Sequence, residues 1–295
     1  MSADQNFLSL LTGSFATPAA ENPTVVMMEA AYRHHGLQAR YINCDVPREA
    51  LGDAVRGARA MGWIGFNCSI PHKVAVIRHL DGLGQSAALM GAVNCVVVRD
   101  GKLIGENTDG KGFVAGVERL TDPAGKRMVL FGAGGAARAI AVEMALAGVR
   151  HVTVVNRGEA DGRSLVDLLN DRVRPSAAGD FTATFVRWEG DHAVAADTDI
   201  VVNATPVGLF PDVDARLNLD VASLRPGMIA VDVIPNPPRT RFVRDAERCG
   251  CRVIDGLAML VGQGRIAVRY WTGIDPDEEV MRRALLDMFG EPAQA

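Results

Sequence analysis

The sequence lacks most of what would send a chain to a membrane, a nucleic acid or a metal. No apolar run is long enough to span a bilayer. The opening stretch, Met1 to Leu11, carries Asp4 and no basic run of the kind that starts a secretory signal, so a cytoplasmic location is expected. Runs of Lys and Arg are missing, and 31 basic against 35 acidic residues leave a net charge of −4. That balance favours solubility and gives no footprint for nucleic acid. The five cysteines are an odd count, and Cys249-Gly250-Cys251 has no second Cys or His pair at ligand spacing. Reduced thiols and no metal site follow. Internal repeats and low-complexity linkers are also absent.

What is present is an ordinary globular composition, 48% hydrophobic and 22% charged over 295 residues, enough for one large domain or two moderate ones. The first third alternates strand-like stretches (Leu8 to Leu11, Arg40 to Val46, Trp63 to Ile70) with helix-like ones (Val25 to His35, Arg48 to Met61). Val93 to Val98 and Leu103 to Gly105 flank Asp100-Gly101, a hairpin signal. Gly110 to Leu120 reads as a helix, and strands at Arg127 to Phe131, His151 to Val155, Asp199 to Asn203 and Met228 to Val233 follow. Strands alternating with helices predict a parallel sheet covered on both faces. The end is helical: Leu257 to Tyr270, then a helix opened by Asp275-Pro276, with Met281, Ala284, Leu285 and Met288 as its core row.

Gly132-Ala133-Gly134-Gly135-Ala136-Ala137 fits G-x-G-x-x-A. Such a turn lets a pyrophosphate approach the backbone at a helix N-terminus, and here a strand precedes it, a helix follows it, and a second strand ends about 20 residues on. NAD or NADP is the expected cofactor. The second strand ends in Asn156-Arg157-Gly158-Glu159. An acid there suits the ribose of NAD and an arginine the 2′-phosphate of NADP. With Glu159 and Asp161 both negative, the balance leans slightly to NAD.

Two further segments carry chemistry. In Gly65-Phe66-Asn67-Cys68-Ser69-Ile70-Pro71-His72-Lys73 a strand runs into a helix start. The helix dipole disfavours an ammonium at Lys73, which suits a lysine that exchanges a proton with a hydroxyl. Asn67 and Ser69 alternate and could hydrogen-bond a polyol. Asp109, in Gly105-Glu106-Asn107-Thr108-Asp109-Gly110, is either an N-cap or a partner of Lys73, and Asn94 is a polar residue inside an apolar strand that requires partners.

At these residues the chain resembles the shikimate dehydrogenase family. The motifs that carry the resemblance run in order over about residues 10 to 290: Gly65 to Lys73, Ala92 to Cys95, Asn107 to Gly110, Gly132 to Ala136, Asn156-Arg157, Asn203 to Gly208, Gly256 to Gln263 and Trp271-Thr272-Gly273. The resemblance implies an N-terminal α/β substrate domain, residues 1–109 completed by 257–295, and a Rossmann-type doubly wound NAD(P) domain, residues 110–256, with the active site in the cleft. It implies proton transfer by Lys73 and Asp109. It places Asn67, Asn94, Asp109 and Gln263 around substrate hydroxyls, and Ser69 and Asn22 are further candidates for substrate contact. It implies cofactor contacts from Gly132, Ala133, Gly134, Gly135, Ala136, Asn156, Arg157, Glu159, Thr205, Val233 and Gly256.

Two departures stand out. Where the family has Ser-x-Ser-Pro holding a substrate carboxylate, this chain has Ala19-Ala20-Glu21-Asn22-Pro23, leaving Thr17 or Ser14 as the nearby hydroxyls. Where the family has tyrosine before Asn-Pro, Pro235 stands in Asp232-Val233-Ile234-Pro235-Asn236-Pro237. The expected function is therefore hydride transfer between NAD(P) and a ring hydroxyl or ketone of a shikimate-like polyol altered at its carboxylate end. The alternatives are a genuine shikimate or quinate dehydrogenase and a non-catalytic dinucleotide-binding sensor. The expected partner is a small polyol, and the expected state is monomer or homodimer.

Overall fold

The alternation in the sequence resolves into two six-stranded sheets. The computed structural model describes residues 6–177 and 179–290. The chain divides after Thr108 and again after Gln263, so that one compact unit takes the stretch up to Thr108 and that from Gly264 on, and the other takes Asp109–Gln263.

The first unit contains, in order, β1 (Leu10–Ala16), α1 (Thr24–His34), β2 (Ala39–Asp45), α2 (Leu51–Ala60), β3 (Gly65–Cys68), α3 (His72–Ala75), β4 (Gly82–Leu83), α4 (Gln85–Met90), β5 (Cys95–Arg99) and β6 (Lys102–Glu106). Its sheet has the order β2-β1-β3-β5-β6-β4. β1 is parallel to β2 and β3, and β5 runs antiparallel to β3 and β6. Asp100 and Gly101 turn the β5–β6 hairpin with φ of 51° and 74°, the left-handed pair that a two-residue hairpin requires. β1 lies further along than the Leu8 to Leu11 strand expected from apolar character. Phe7 and Leu8 are exposed, whereas Thr12 and Ser14 are fully buried. Buried hydroxyls are tolerated when bonded: Thr12 Oγ1 pairs with Tyr32 Oη at 2.8 Å and Ser14 Oγ donates to Asn43 Oδ1 at 2.9 Å. The core behind this sheet is Phe15, Leu51, Val55, Trp63, Phe66, Val76 and Val96, each side chain contributing about 1.5–3 kcal/mol by leaving water.

The second unit opens with α5 (Asp109–Glu118) and continues β7 (Arg127–Phe131), α6 (Gly135–Leu146), β8 (His151–Asn156), α7 (Glu159–Asp167), β9 (Thr182–Arg187), β10 (Ile200–Asn203), β11 (Ile229–Asp232), α8 (Arg241–Arg248), β12 (Arg252–Ile254) and α9 (Gly256–Thr272). Its sheet, β12-β11-β10-β7-β8-β9, is parallel throughout. The strand order reverses between β7 and β10, the crevice where doubly wound sheets bind nucleotides. α6 is alanine-rich, and Ala137, Ala139, Ala141 and Ala145 are all buried, which lets it lie close to its neighbours. α5 packs on it through Gly110, where a Cβ would stand 2.2 Å from the Ala139 carbonyl oxygen.

α9 passes from the second unit to the first. Its opening turns pack on α5, because a Cβ on Gly112 would meet the Gln263 nitrogen at 2.5 Å. The second unit runs to Gln263, so α9 belongs to both units. The last helix, α10 (Glu278–Phe289), starts at Asp277, not Asp275: Asp277 Oδ1 accepts from Glu279 and Val280 N–H, while Asp275 is bound to Arg265. Met281 and Leu285 are fully buried, but Met288, in the same expected row, is 42% exposed.

Candidate active site

In the first unit, polar side chains gather at the C-terminal ends of the parallel strands. Register puts Ser14 beside Asn43 on β2 and beside Asn67 on β3. Asn67 Oδ1 accepts from Tyr41 Oη at 2.9 Å, and its Nδ2 donates to the Asn94 carbonyl at 3.0 Å. The Asn94 side chain is engaged by Thr108: its Oδ1 accepts the Thr108 N–H at 2.7 Å and its Nδ2 donates to Thr108 Oγ1 at 3.0 Å. The partners that a buried asparagine requires are thus supplied by the chain at the end of β6.

Beyond β3 the backbone turns through Ser69, half-buried, into α3, which carries Lys73, also half-buried. The turn is fastened at several points. Ser69 N–H donates to Phe15 O at 3.0 Å, His72 N–H to Ser69 O at 2.7 Å, and Val93 N–H to Lys73 O at 2.8 Å. His72 is fully buried, with Nε2 2.7 Å from the Val46 carbonyl. The backbone that carries Lys73 is therefore braced. A lysine ammonium can exchange a proton with an alcohol.

The loop after β1 contains no serine. Ala19 is buried, and its N–H donates to Asp45 Oδ2 at 3.2 Å. Ala20 and Glu21 are exposed. Asn22 is half-buried. Its Nδ2 donates to Ser14 Oγ at 3.0 Å, its Oδ1 accepts from Thr24 N–H at 3.1 Å, and its carbonyl accepts from Asn43 Nδ2 at 3.0 Å. The side chains bonded to one another here are the Asn22 and Asn43 amides and the Ser14 hydroxyl, and the Asp45 carboxylate holds the Ala19 N–H.

In the second unit, the glycine loop lies between β7 and α6. Gly132 has φ 107°, and a Cβ there would meet the Ala204 carbonyl oxygen at 2.8 Å. Only glycine fits. Gly134 and Gly135 are exposed and face open space, and no side chain caps α6. Its first N–H groups thus remain available to an anion, and the loop fits a dinucleotide pyrophosphate. Ala133 and Ala136 are half-buried beside them.

At the end of β8, Asn156 Nδ2 donates to Gly158 O at 2.8 Å, and the Arg157 guanidinium sits 5.5 Å from the Trp188 ring centroid. Glu159 accepts from Arg163 Nε at 2.7 Å and lies 3.6 Å from Arg187. The Arg163 hydrogen bond holds its carboxyl below the usual range. Glu159 is thus neutralised locally, which removes much of the repulsion on which the lean to NAD rests.

Asp232, at the end of β11, is a fully buried hub. Asn203 Nδ2 donates to both of its oxygens at 3.2 Å, Thr240 Oγ1 donates to Oδ2 at 2.6 Å, and Ile234 N–H donates to Oδ1 at 3.1 Å. Burial pushes its pKa up to about 6, against these hydrogen bonds. Asn203 in turn holds Thr205, whose Oγ1 donates to Asn203 Oδ1 at 2.7 Å. Val233 N–H donates to Asn203 O at 3.3 Å. A Cβ on Gly256 would stand 1.4 Å from the Ile234 carbonyl oxygen, so α9 can start there only with glycine. Asp109 is the first residue of α5, and Gln263, 6% exposed, donates from Nε2 to Leu260 O at 3.0 Å.

Each unit thus gathers its own set. Asn22, Asn67, Ser69, Lys73 and Asn94 lie in the first, and residues 132–136, 156–159, 205, 233 and 256 lie at the strand ends of the second, with Asp109 and Gln263 as its first and last residues. Sequence reasoning missed Tyr41, Asn43, Asp45 and Arg187. The available signal was period-two alternation on β2, where Ala39 and Tyr41 are buried and Asn43 shares their face.

Comparison with known proteins decides the family. Residues 15–96 match the shikimate dehydrogenase substrate binding domain, and residues 256–286 match the shikimate 5′-dehydrogenase C-terminal domain. A shikimate dehydrogenase (NADP(+)) of Methanocaldococcus jannaschii is 35% identical over 287 residues, covering 96% of this chain and 98% of that protein. The chain belongs to the shikimate dehydrogenase family. It is an NAD(P)-dependent oxidoreductase of the shikimate/quinate dehydrogenase type, and its mixed α/β architecture is the family's. Among solved structures, a ligand-free 5-ketofructose reductase of a Gluconobacter strain is 54% identical with a TM-score of 0.92, covering 96% of this chain and 100% of that one. A Listeria monocytogenes shikimate 5-dehydrogenase in complex with shikimate and NAD is 32% identical with a TM-score of 0.86, covering 97% and 99%. Among the described residues no group of three His, Cys, Asp or Glu could hold a metal ion, and no helix is long and apolar enough to cross a membrane.

Proposed function

We propose that this enzyme transfers hydride between NAD(P) and a ketone or hydroxyl of an uncharged polyol, a keto-sugar, and that shikimate is a poor substrate. The observation that carries this reading is the loop after β1. The loop N–H at Ala19 is spent on the Asp45 carboxylate, and Asn22 presents an amide among amides. A substrate carboxylate there would meet a like charge, a juxtaposition that costs several kcal/mol. A neutral hydroxyl would meet donors and acceptors of the right kind. The 54% identical relative is named for its action on 5-ketofructose, which has no carboxylate.

The nicotinamide supplies or accepts the hydride when bound. In the reducing direction Lys73 gives a proton to the forming alkoxide, and in oxidation it takes one from the hydroxyl. Asp109 is the second group we assign to the proton step. Asn67, Ser69, Asn94, Gln263 and Asn22 orient hydroxyls. Gly132 to Ala136 hold the pyrophosphate, Asn156, Arg157 and Glu159 the adenosine end, and Thr205, Val233 and Gly256 the nicotinamide end. In this reading the substrate-binding portion comprises residues 1–109 with 257–295 and the dinucleotide portion residues 110–256. Lying between β7 and β10 at the sheet's reversal, the glycine loop supports the cofactor assignments.

The test is initial-rate kinetics: NADPH and NADH against 5-ketofructose, and NADP⁺ and NAD⁺ against shikimate and quinate. A kcat/KM for the neutral ketone about 10²-fold or more above that for shikimate is expected. Efficient shikimate or quinate turnover with low KM would restore the second reading, which the 35% identical shikimate dehydrogenase favours. The sensor alternative finds no support in a family of oxidoreductases.

A further inference from the structure

Asn67 has a fixed amide. Its Nδ2 is tied to the Asn94 carbonyl at 3.0 Å, and its Oδ1 to the Tyr41 hydroxyl at 2.9 Å. Flipping the amide would set Oδ1 against the Asn94 carbonyl oxygen, two acceptors face to face. Tyr41 is 3% exposed and has little room to move. Its ring lies against Trp271, centroids 6.3 Å apart, and Trp271 Nε1 is itself bound to the Val96 carbonyl at 3.0 Å. Burial pushes the Tyr41 hydroxyl well above the usual phenol range, so it stays a neutral O–H donor.

On the other side of Asn67, strand register sets Ser14. Ser14 Oγ donates to Asn43 Oδ1 at 2.9 Å and accepts from Asn22 Nδ2 at 3.0 Å. Register thus holds Ser14, Asn43 and Asn67 side by side at the ends of β1, β2 and β3, with the Tyr41 hydroxyl bonded to Asn67.

We propose that Tyr41 is a positioning residue that locks the Asn67 amide, so that a substrate hydroxyl is read by a group of fixed orientation. This rests on the assignment of Asn67 to a substrate hydroxyl, and it adds a residue that touches neither substrate nor cofactor. Alignment lost by about an ångström is costly in a hydride transfer, so the lock is a specificity device as much as a support.

The test is a double-mutant cycle on kcat/KM. Tyr41→Phe keeps the ring and removes the hydroxyl. Against 5-ketofructose it should lower kcat/KM about tenfold, chiefly through KM, with the KM for the dinucleotide unchanged. In an Asn67→Ala background the same substitution should cost less than about twofold. Equal losses in both backgrounds overturn the proposal. A readout independent of turnover is the Asn67 side-chain amide in ¹⁵N-resolved NMR, assigned by its loss in Asn67→Ala. It should shift or broaden in Tyr41→Phe, and an unchanged signal overturns the proposal. If neither 5-ketofructose nor shikimate is turned over but the amide signal responds, the substrate reading fails and the positioning role stands.

Discussion

Asp232 offers the sharpest quantitative prediction. Its carboxyl is fully buried and receives hydrogen bonds from Asn203, Thr240 and Ile234, yet desolvation outweighs them and pushes its pKa from the usual 3.8 to about 6. The folded state therefore holds the proton more tightly than the unfolded chain. The stability this contributes is fully present well below the unfolded value of 3.8 and is lost as pH rises through about 6. At about 1.4 kcal/mol per pH unit, the interval from 3.8 to about 6 corresponds to about 3 kcal/mol. The assay is urea denaturation of wild type and Asp232→Asn at half-unit steps from pH 4 to 8. Asn removes the titration but sets an NH₂ among donors, so the variant should be less stable at low pH. The difference between the two proteins isolates this residue. Wild type should lose its advantage by about 2 kcal/mol between pH 4 and pH 7, the rest having gone below pH 4 where the unfolded carboxyl begins to ionise, and the curve should then flatten. A difference that is constant over this range, or that grows with pH, would refute the argument that burial dominates at this site.

Other outcomes follow from the same geometry. Lys73→Ala should lower kcat by about 10²-fold or more with little change in dinucleotide KM, and an unchanged kcat would remove Lys73 from the proton step. Gly256→Ala drives a Cβ onto the Ile234 carbonyl. Its thermal midpoint should fall well below that of Gly134→Ala, where the Cβ meets open space. Arg187→Ala should raise KM for NADP⁺ more than for NAD⁺, because it removes a cation beside Glu159. Steady-state titration of both cofactors reads the ratio, and an unchanged ratio would show that Arg187 does not reach the ribose end.

Part of this was open to reading from one dimension. The glycine loop, the hairpin at Asp100-Gly101 and the strand at Arg127 to Phe131 carry short-range signals, because tight turns and helix starts demand particular residues at consecutive positions. The strand-to-helix junction that carries Lys73 was legible for the same reason, since it lies within nine residues. Strand β1 was harder. Thr12, Gly13 and Ser14 look like loop residues until Tyr32, Arg40 and Asn43 are known to satisfy them. The start of α10 turned on which of two nearby aspartates was claimed by Arg265, ten residues before Asp275 in sequence.

By itself the sequence determined the α/β plan, the glycine loop at a strand-to-helix turn and the family. These rest on local chemistry and on motifs in fixed order. Only the tertiary structure decided which polar side chains stand together at the strand ends of the first unit. Ser14, Asn43 and Asn67 become neighbours because β1, β2 and β3 pair in one register, and Tyr41 joins them because β2 alternates its side chains across the sheet. A hydrogen bond between residues 26 positions apart, such as Tyr41 to Asn67, leaves no trace in spacing. Its existence depends on strand pairing, and strand pairing is set by the burial of the whole sheet.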